Sequence, residues 1–266
     1  MKLKDFIEIM ESIAPKELKE SYDNVGLMIG DSQKEITKIL LALDCTLDVI
    51  EEAVENKVEL IVTHHPLLFI KPSNITTDTL QGRKVINLIQ NDIALYSSHT
   101  NFDTVCGGLN DSLLRILGFE KGDIIEKVND SNYNAAGIGR IVELKDASLG
   151  MVIDLVKDKL NLKNLRYAGN LNSSVKKLAI VNGSGEDYFE LARAKGADTI
   201  LTGDTTYHFV SDYKEMGMNI IDAGHFGTEW LSFLQAIEML KTKVKEQYSN
   251  IEFIVSSKIK DPYEII

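Results

Sequence analysis

Apolar positions along the chain follow two rhythms. Leu3, Phe6, Ile7, Met10 and Ile13 recur at helical spacing until Pro15 interrupts them, which predicts an amphipathic opening helix. The run Leu60-Ile61-Val62-Thr63 is instead short, continuous and partly β-branched, and it stops at His64-His65-Pro66. That pattern predicts a buried strand with two adjacent histidines at its carboxyl end, where open α/β sheets place their ligands. Ahead of it, Asp23-Asn24 makes a turn before an apolar run that reads as a strand, and residues 36–43 form a second apolar run ending at Asp44. Thr46 or Asp48 can cap a helix reaching about Asn56, so strand, helix and strand make a βαβ unit. A polar loop at 70–79, a helix at 80–91 and a strand at 93–98 running into His99 come next. Gly107-Gly108 then turns into a helix ending near Gly118.

Residues 121–134 turn polar and Asp/Asn-rich, which marks a candidate boundary. Beyond it the pattern predicts strands at 139–144, 165–168, 177–182, 199–202 and 219–222, with helices at 149–160, 186–195 and 207–216. A long helix at 228–246 carries Trp230, Leu231, Leu234, Ile237, Leu240 and Val244 on one face, and a strand at 251–255 closes the chain. The expected fold class is α/β, as two related layered units whose strand ends face a shared metal pocket. The expected domains are 1–127 with 225–266, and 128–224. A faint internal echo supports relatedness: a strand ending in His64-His65, a helix and a strand running into His99 recur as a strand ending in Gly203-Asp204, a helix with His208 and a strand running into His225. Convergent α/β grammar accounts for the same echo equally well.

Composition narrows the function classes. With 266 residues, 44% hydrophobic and 26% charged, the chain suffices for one large α/β domain or two smaller ones with proper cores. No stretch approaches the roughly 18 uninterrupted apolar residues of a membrane span, and Met1-Lys2-Leu3-Lys4-Asp5-Phe6 lacks a hydrophobic signal core. The expected location is the cytoplasm, with no membrane partner. A net charge of −11 and a pI near 5.0 repel a phosphate backbone, so direct nucleic-acid binding is not expected. Cys45 and Cys106 are too few and too far apart for a disulfide framework or a Cys-x-x-Cys zinc site, and read as reduced small hydrophobes.

Chemistry concentrates in the histidines. There are five, His64, His65, His99, His208 and His225. Four fall at predicted strand ends, and every one lies within a few residues of an Asp, a Glu or another histidine. Imidazole with carboxylate suits Zn, Fe, Mn, Co or Ni, while the lack of clustered thiolates argues against a closed structural zinc site. The motifs supply more ligands than one ion needs, which fits two divalent ions sharing bridging carboxylates. In Asp222-Ala223-Gly224-His225-Phe226-Gly227-Thr228-Glu229 the glycines are expected to turn the backbone into a helix capped by Thr228. Glu229 then falls in its first turn, beside His225 at a terminus that favours anions.

Asp23-Asn24-x-Gly26, Thr63-His64-His65-Pro66, His99-Thr100-Asn101-x-Asp103, Thr202-Gly203-Asp204 and Asp222-Ala223-Gly224-His225-x-x-x-Glu229 occur in this order. Together they resemble the Nif-three-like (YbgI-type) family, often labelled GTP cyclohydrolase 1 type 2 homologues, over nearly the whole chain. The resemblance implies a dinuclear metal centre with ligands His64, His65, Asp103, His225 and Glu229, in which Asp103 and Glu229 bridge. It also implies a ring-shaped homohexamer. The chain reads as the short form, since 134–177 leaves no room for the extra domain of longer members. Cys106 departs from the Pro expected there without touching the ligand set.

His99 is the candidate catalytic residue, a proton donor beside the metals rather than a ligand, and His208 is expected in or behind the pocket. Asp44, Asp204 and Asp222 either orient ligands, meet substrate or cap helices. Asn182-Gly183-Ser184-Gly185 lacks the third glycine of a dinucleotide fingerprint and the lysine of a P-loop, and reads as a plain turn. Two divalent ions against two carboxylates leave a cationic pocket that attracts phosphates or nucleotides and supports hydrolysis. The expected function is a metal-dependent hydrolase acting on a nucleotide or other anionic small molecule. The competing class is a metal-binding scaffold or interaction protein without turnover.

Overall fold

The computed structural model describes residues 1–265. Its elements run α1 (Leu3–Ile13), β1 (Gly26–Ile29), β2 (Lys38–Ala42), α2 (Leu47–Glu55), β3 (Leu60–Thr63), α3 (Leu80–Gln90), β4 (Ala94–Ser97), α4 (Thr100–Thr104) and α5 (Leu109–Ile116). The order continues with β5 (Asp123–Lys127), β6 (Gly137–Ser148), α6 (Leu149–Leu160), β7 (Arg166–Ala168), β8 (Ser174–Ser184), α7 (Phe189–Ala194), β9 (Thr199–Gly203) and α8 (Tyr207–Glu215). It ends with β10 (Asn219–Asp222), α9 (His225–Ala236), α10 (Glu238–Gln247) and β11 (Glu252–Val255). The fold is mixed α/β with two sheets, in two compact units: Met1–Phe102 with Ile237–Lys260, and a second built on Asp103–Ala236.

In the first unit the sheet order is β1-β4-β3-β2-β11, with β2, β3 and β4 parallel and β1 antiparallel at the edge. Both faces are covered, which is why β3 reads as a continuous apolar run rather than an alternation. Leu40, Ile61 and Leu95 face a core with Val49, Ile50 and Leu88 of α2 and α3. On α1, Phe6 meets the buried ring of Tyr96 edge to face, with centroids 5.7 Å apart. Thr46 rather than Asp48 caps α2, its side chain accepting from the Val49 N–H at 3.2 Å. Cys45 lies in this core, where burial pushes its thiol up to about 12, while Cys106 is exposed.

The second unit holds a six-stranded sheet of order β5-β6-β8-β9-β10-β7. Strands β8, β9 and β10 are parallel, and β7 pairs antiparallel with β10. One face packs Val142, Leu178, Ile180, Leu201 and Ile221 against Leu113 of α5 and Val152 and Val156 of α6. The other packs Ala179, Val181, Ile200 and Ile220 against Phe189 and Ala192 of α7. The internal echo has a topological basis, because β1-β4-β3-β2 and β7-β10-β9-β8 share the order: an antiparallel edge, then three parallel strands with crossover helices.

Two expectations fail locally. The polar stretch at 121–134 contains β5, which pairs antiparallel with β6 and buries only Ile125 fully. A single inward residue leaves no alternation to read in the sequence. The long helix expected at 228–246 begins earlier, at His225, and is interrupted at Ile237, where the chain passes from the second unit to the first. The buried side of α9 carries Thr228, Glu229, Ser232 and Phe233, whereas Trp230, Leu231 and Leu234 are only half-buried. Among the described residues no helix is long and apolar enough to cross a membrane.

Candidate metal centre

Each unit presents donors at the carboxyl ends of three of its parallel strands, as an open α/β sheet dictates. In the first unit, β2 runs into Asp44, β3 into His64-His65 and β4 into His99. Thr63 Oγ1 donates to the His65 carbonyl at 2.9 Å and pairs with Ser97 Oγ at 2.8 Å, fixing the turn that bears both imidazoles. His64 is fully buried, and its Nδ1 lies 3.0 Å from the Ser98 carbonyl. A carbonyl only accepts, so Nδ1 of His64 is a protonated nitrogen and Nε2 is the one turned toward the other imidazoles' donor atoms. His65 Nδ1 lies 2.9 Å from Asp44 Oδ1, and His99 Nδ1 lies 2.9 Å from Asp23 Oδ1. All three rings thus bind an acceptor through Nδ1, the arrangement that orients metal-ligating histidines and raises their basicity.

The three imidazoles form one group. Ring centroids are 5.0 Å apart for His64 and His65, 5.1 Å for His64 and His99, and 5.6 Å for His65 and His99. One donor atom from each lies within 4.8 Å of the others, a spacing that fits a single cation. His99 thus stands in the same group of donors, where the sequence reading set it beside the metals as a proton donor rather than a ligand.

Asp23 is the hub behind His99. Its buried carboxylate also accepts from the Asn24 N–H at 2.7 Å, the Thr100 N–H at 3.1 Å and the Thr100 hydroxyl. Burial acts to raise its pKa, but the hydrogen bonds from His99 and Thr100 and the charge of His99 outweigh it and hold the carboxyl well below the usual range.

In the second unit, β8 carries Asn182 near its end, β9 runs into Asp204, and β10 leads through Ala223-Gly224 into His225. Asp204 takes a left-handed backbone, φ +54°, and its Oδ2 lies 2.8 Å from His225 Nδ1. His225 Nε2 lies 3.0 Å from Glu229 Oε2, one helical turn on along α9. A neutral imidazole has one N–H and cannot serve two carboxylates as donor. The contact at Nε2 therefore needs a second proton, on the ring or on the carboxyl, or a cation between the two.

Two glycines make room for this pair. A Cβ at Gly203 would stand 2.5 Å from the Gly224 carbonyl carbon, so only glycine lets β9 pass so close to the turn before α9. A Cβ at Gly183, which has φ +59°, would stand 2.2 Å from Glu229 Oε1. Asp103, at the end of the short α4, accepts from Asn182 Nδ2 at 2.8 Å, and its carbonyl accepts from Asn110 Nδ2 at 3.1 Å.

Several roles differ from expectation. Thr228 does not cap a helix. It lies inside α9, accepts from the Gly183 N–H at 2.9 Å and donates back to the Gly224 and His225 carbonyls, each at 3.0 Å. Asp222 accepts from Arg166, the Thr205 hydroxyl at 2.6 Å and the Gly224 N–H at 3.0 Å, so it braces the turns around the pair. His208 is exposed on α8 against Tyr207 and joins no donor group found among the described residues. Asn182, read as part of a plain turn, instead orients Asp103. Its position at a strand end, beside a doublet of small residues, was the available signal.

The family model described as Duf34/NIF3 (NGG1p interacting factor 3) matches residues 1–262. A Clostridium perfringens protein named GTP cyclohydrolase 1 type 2 homolog is 62% identical over 267 residues, covering 100% of both chains. A crystal structure of a Bacillus cereus protein related to NIF3 superposes with a TM-score of 0.92 at 25% identity, covering 100% of this chain and 99% of that one. A Staphylococcus aureus hypothetical protein superposes with a TM-score of 0.91 at 30% identity, covering 100% and 99%.

Proposed function

The chain belongs to the Duf34/NIF3 family, and from that premise we propose that it is a metal-dependent hydrolase holding two divalent transition-metal ions and acting on a nucleotide or another anionic substrate. The residues that would hold the ions are His64, His65, Asp103, His225 and Glu229. The observation that carries the reading is the imidazole group of the first unit, in which His64 and His65, each fixed through Nδ1, stand beside His99 with one donor atom of each ring within 4.8 Å of the others. The donor chemistry fits borderline transition metals and does not fit calcium or magnesium.

Ions bound there would supply Lewis acidity and a water nucleophile at neutral pH. The Ser98 carbonyl sets the tautomer of His64. Asp44 and Asp204 orient His65 and His225. Asn182 holds one oxygen of Asp103 in place. His99 is the proposed proton donor: Asp23 holds its Nδ1, leaving Nε2 to pass a proton to the leaving group. The same reading carries the homohexamer, in which light scattering should give about six times the 29.7 kDa chain mass.

The test combines elemental analysis with an assay. Wild type should bind about two transition-metal ions per chain, Asp103→Ala should lose most of both, and a wild-type content near one would end the dinuclear reading. Purified wild type, Glu229→Gln, His99→Asn and chelated protein are then assayed against GTP and a panel of phosphoesters, with bound metal measured in each. Glu229→Gln should lose metal and activity. His99→Asn should keep its metal and lose activity, whereas metal loss would make His99 a ligand. Absence of turnover in metal-loaded wild type would move the function to the scaffold class.

A further inference from the structure

Asn101, on the first turn of α4, is fully buried, and both ends of its amide are engaged. Its Oδ1 accepts from the His99 N–H at 3.0 Å and from the Ser98 hydroxyl at 3.2 Å, while Nδ2 donates to the Ala14 carbonyl at 2.8 Å. An N–H only donates and a carbonyl only accepts, so these partners fix which end of the amide is the oxygen. An ionised Asp would lack the donor, and a Leu of similar shape would lack donor and acceptor alike.

The two ends grip different parts of the first unit. Ala14 closes α1: its N–H donates to the Met10 carbonyl at 2.8 Å, and its own carbonyl is one of those that a helix end leaves without an intrahelical partner. Ser98 and His99 form the turn between β4 and α4. Asn101 reaches back to the N–H two residues before it, much as the side chain of a capping box does, and ties that turn to the end of α1, 87 positions away.

The His99 N–H and the Ser98 carbonyl belong to one peptide unit. Because that unit is planar, fixing the direction of its N–H fixes the direction of its carbonyl as well. On one edge the unit is held by Asn101 Oδ1, and on the other its carbonyl lies 3.0 Å from His64 Nδ1. The ring of His99 leaves the same turn, with its Nδ1 held by Asp23 at 2.9 Å. Two of the three imidazoles are therefore aimed from a single peptide plane.

We propose that Asn101 is a positioning residue for the imidazole group: it sets the plane of the Ser98–His99 peptide, whose carbonyl in turn holds the ring of His64. The consequence for metal affinity rests on the metal reading above, whereas the relation between Asn101 and the His64 ring stands without it.

The test reads ring and metal separately. Full-length protein carrying ring-nitrogen-labelled histidine is studied by long-range nitrogen–proton NMR in chelator at about pH 8, where an ordinary imidazole is neutral. Affinity for Zn²⁺ is measured by competition with a chromophoric chelator. Wild type should show the His64 proton on Nδ1. Asn101→Ala should let that proton exchange between the two nitrogens and weaken Zn²⁺ binding by about 10–100-fold. Asn101→Asp keeps an oxygen for the His99 N–H and loses the donor to Ala14, so it should melt lower while holding ring and affinity near wild type. Glu52→Gln, which cuts a buried contact elsewhere in the same unit, should lose stability alone. A wild-type ring and affinity in Asn101→Ala, a ring released as far in Asn101→Asp, or an equal loss of affinity in Glu52→Gln overturns the proposal. Should Asn101→Ala not fold, Asn101→Asp decides: a proton held on Nδ1 of His64 supports the proposal, and an exchanging one overturns it. A ring released by Asn101→Ala in a protein whose wild type binds no Zn²⁺ keeps this inference and ends the metal reading. A wild type that binds Zn²⁺, with ring and affinity indifferent to Asn101→Ala, does the reverse.

Discussion

Gly183→Ala separates backbone strain from site geometry in the second unit. Gly183 has φ +59°, and a Cβ there would stand 2.2 Å from Glu229 Oε1, 3.2 Å from Glu229 Cδ and 3.5 Å from His225 Cε1. The left-handed backbone costs an L-residue about 1–2 kcal/mol. The overlap with Glu229 must also be relieved, and its target is the tip of a side chain. Glu229 therefore swings away while β8 stays, so this second cost falls on the placement of a proposed ligand rather than on stability. Disturbing an orienting contact of this kind typically weakens metal binding by about 10–100-fold. Gly217→Ala is the control, because Gly217 is also left-handed at φ +88° but has nothing within 4 Å of the added carbon. Urea denaturation in chelator should show both variants losing about 1–2 kcal/mol. Competition against a chromophoric chelator should show weakened metal binding in Gly183→Ala alone. Wild-type metal affinity in Gly183→Ala would refute the claim that the missing Cβ at 183 sets the position of Glu229.

Three further outcomes follow from buried polar contacts. Glu52 accepts from the Ser257 N–H at 2.8 Å, from its hydroxyl at 2.7 Å and from the Ser256 hydroxyl; burial acts to raise its pKa, but these donors outweigh it and lower it from 4.5. A depressed folded pKa contributes stability that is present above the unfolded value and lost as pH falls through the folded one, so Glu52→Gln should lower Tm at pH 7 and flatten its decline below about pH 4.5. Asp111 pairs in a fork with the guanidinium of Arg140, one arm at 2.8 Å, where the Arg140 side chain is only 3% exposed. Asp111→Ala should cost about 3–5 kcal/mol in urea denaturation, and adding Arg140→Met should recover much of it. Asn182→Leu should weaken metal binding by about 10–100-fold with native circular dichroism, because it frees Asp103 without removing it.

The sequence was most legible where burial on both faces wrote itself into long apolar runs. Residues 149–160 and 219–222 fold over the very spans expected, and β3 with its two histidines stands as read. Legibility failed where tertiary pairing overrides composition, as in β5, a polar edge strand held by β6. It failed again in α9, whose buried face is set by Glu229, Thr228 and Ser232 rather than by its apolar stripe. The histidines stood out by their number and spacing, and the proposed set of His64, His65, Asp103, His225 and Glu229 came from the family resemblance. Their partners could not be named, because Asp23 reaches His99 across 76 positions and Asn182 reaches Asp103 across 79. Separations of that size carry no local signal.

His225 and Glu229 also share a mechanical fate. Both ride on the first turns of α9, a rod of twelve residues with its interior hydrogen bonds made, and the chain before it turns at Gly224, φ +79°. Tilting or sliding the rod carries imidazole and carboxylate together and leaves their mutual spacing unchanged, so motion retunes where the pair points rather than whether it is a pair. Insertions discriminate in the same way. One extra residue between positions 225 and 229 would rotate the carboxylate by about 100° around the axis and uncouple the two donors, whereas one at the break by Ile237 would leave them side by side.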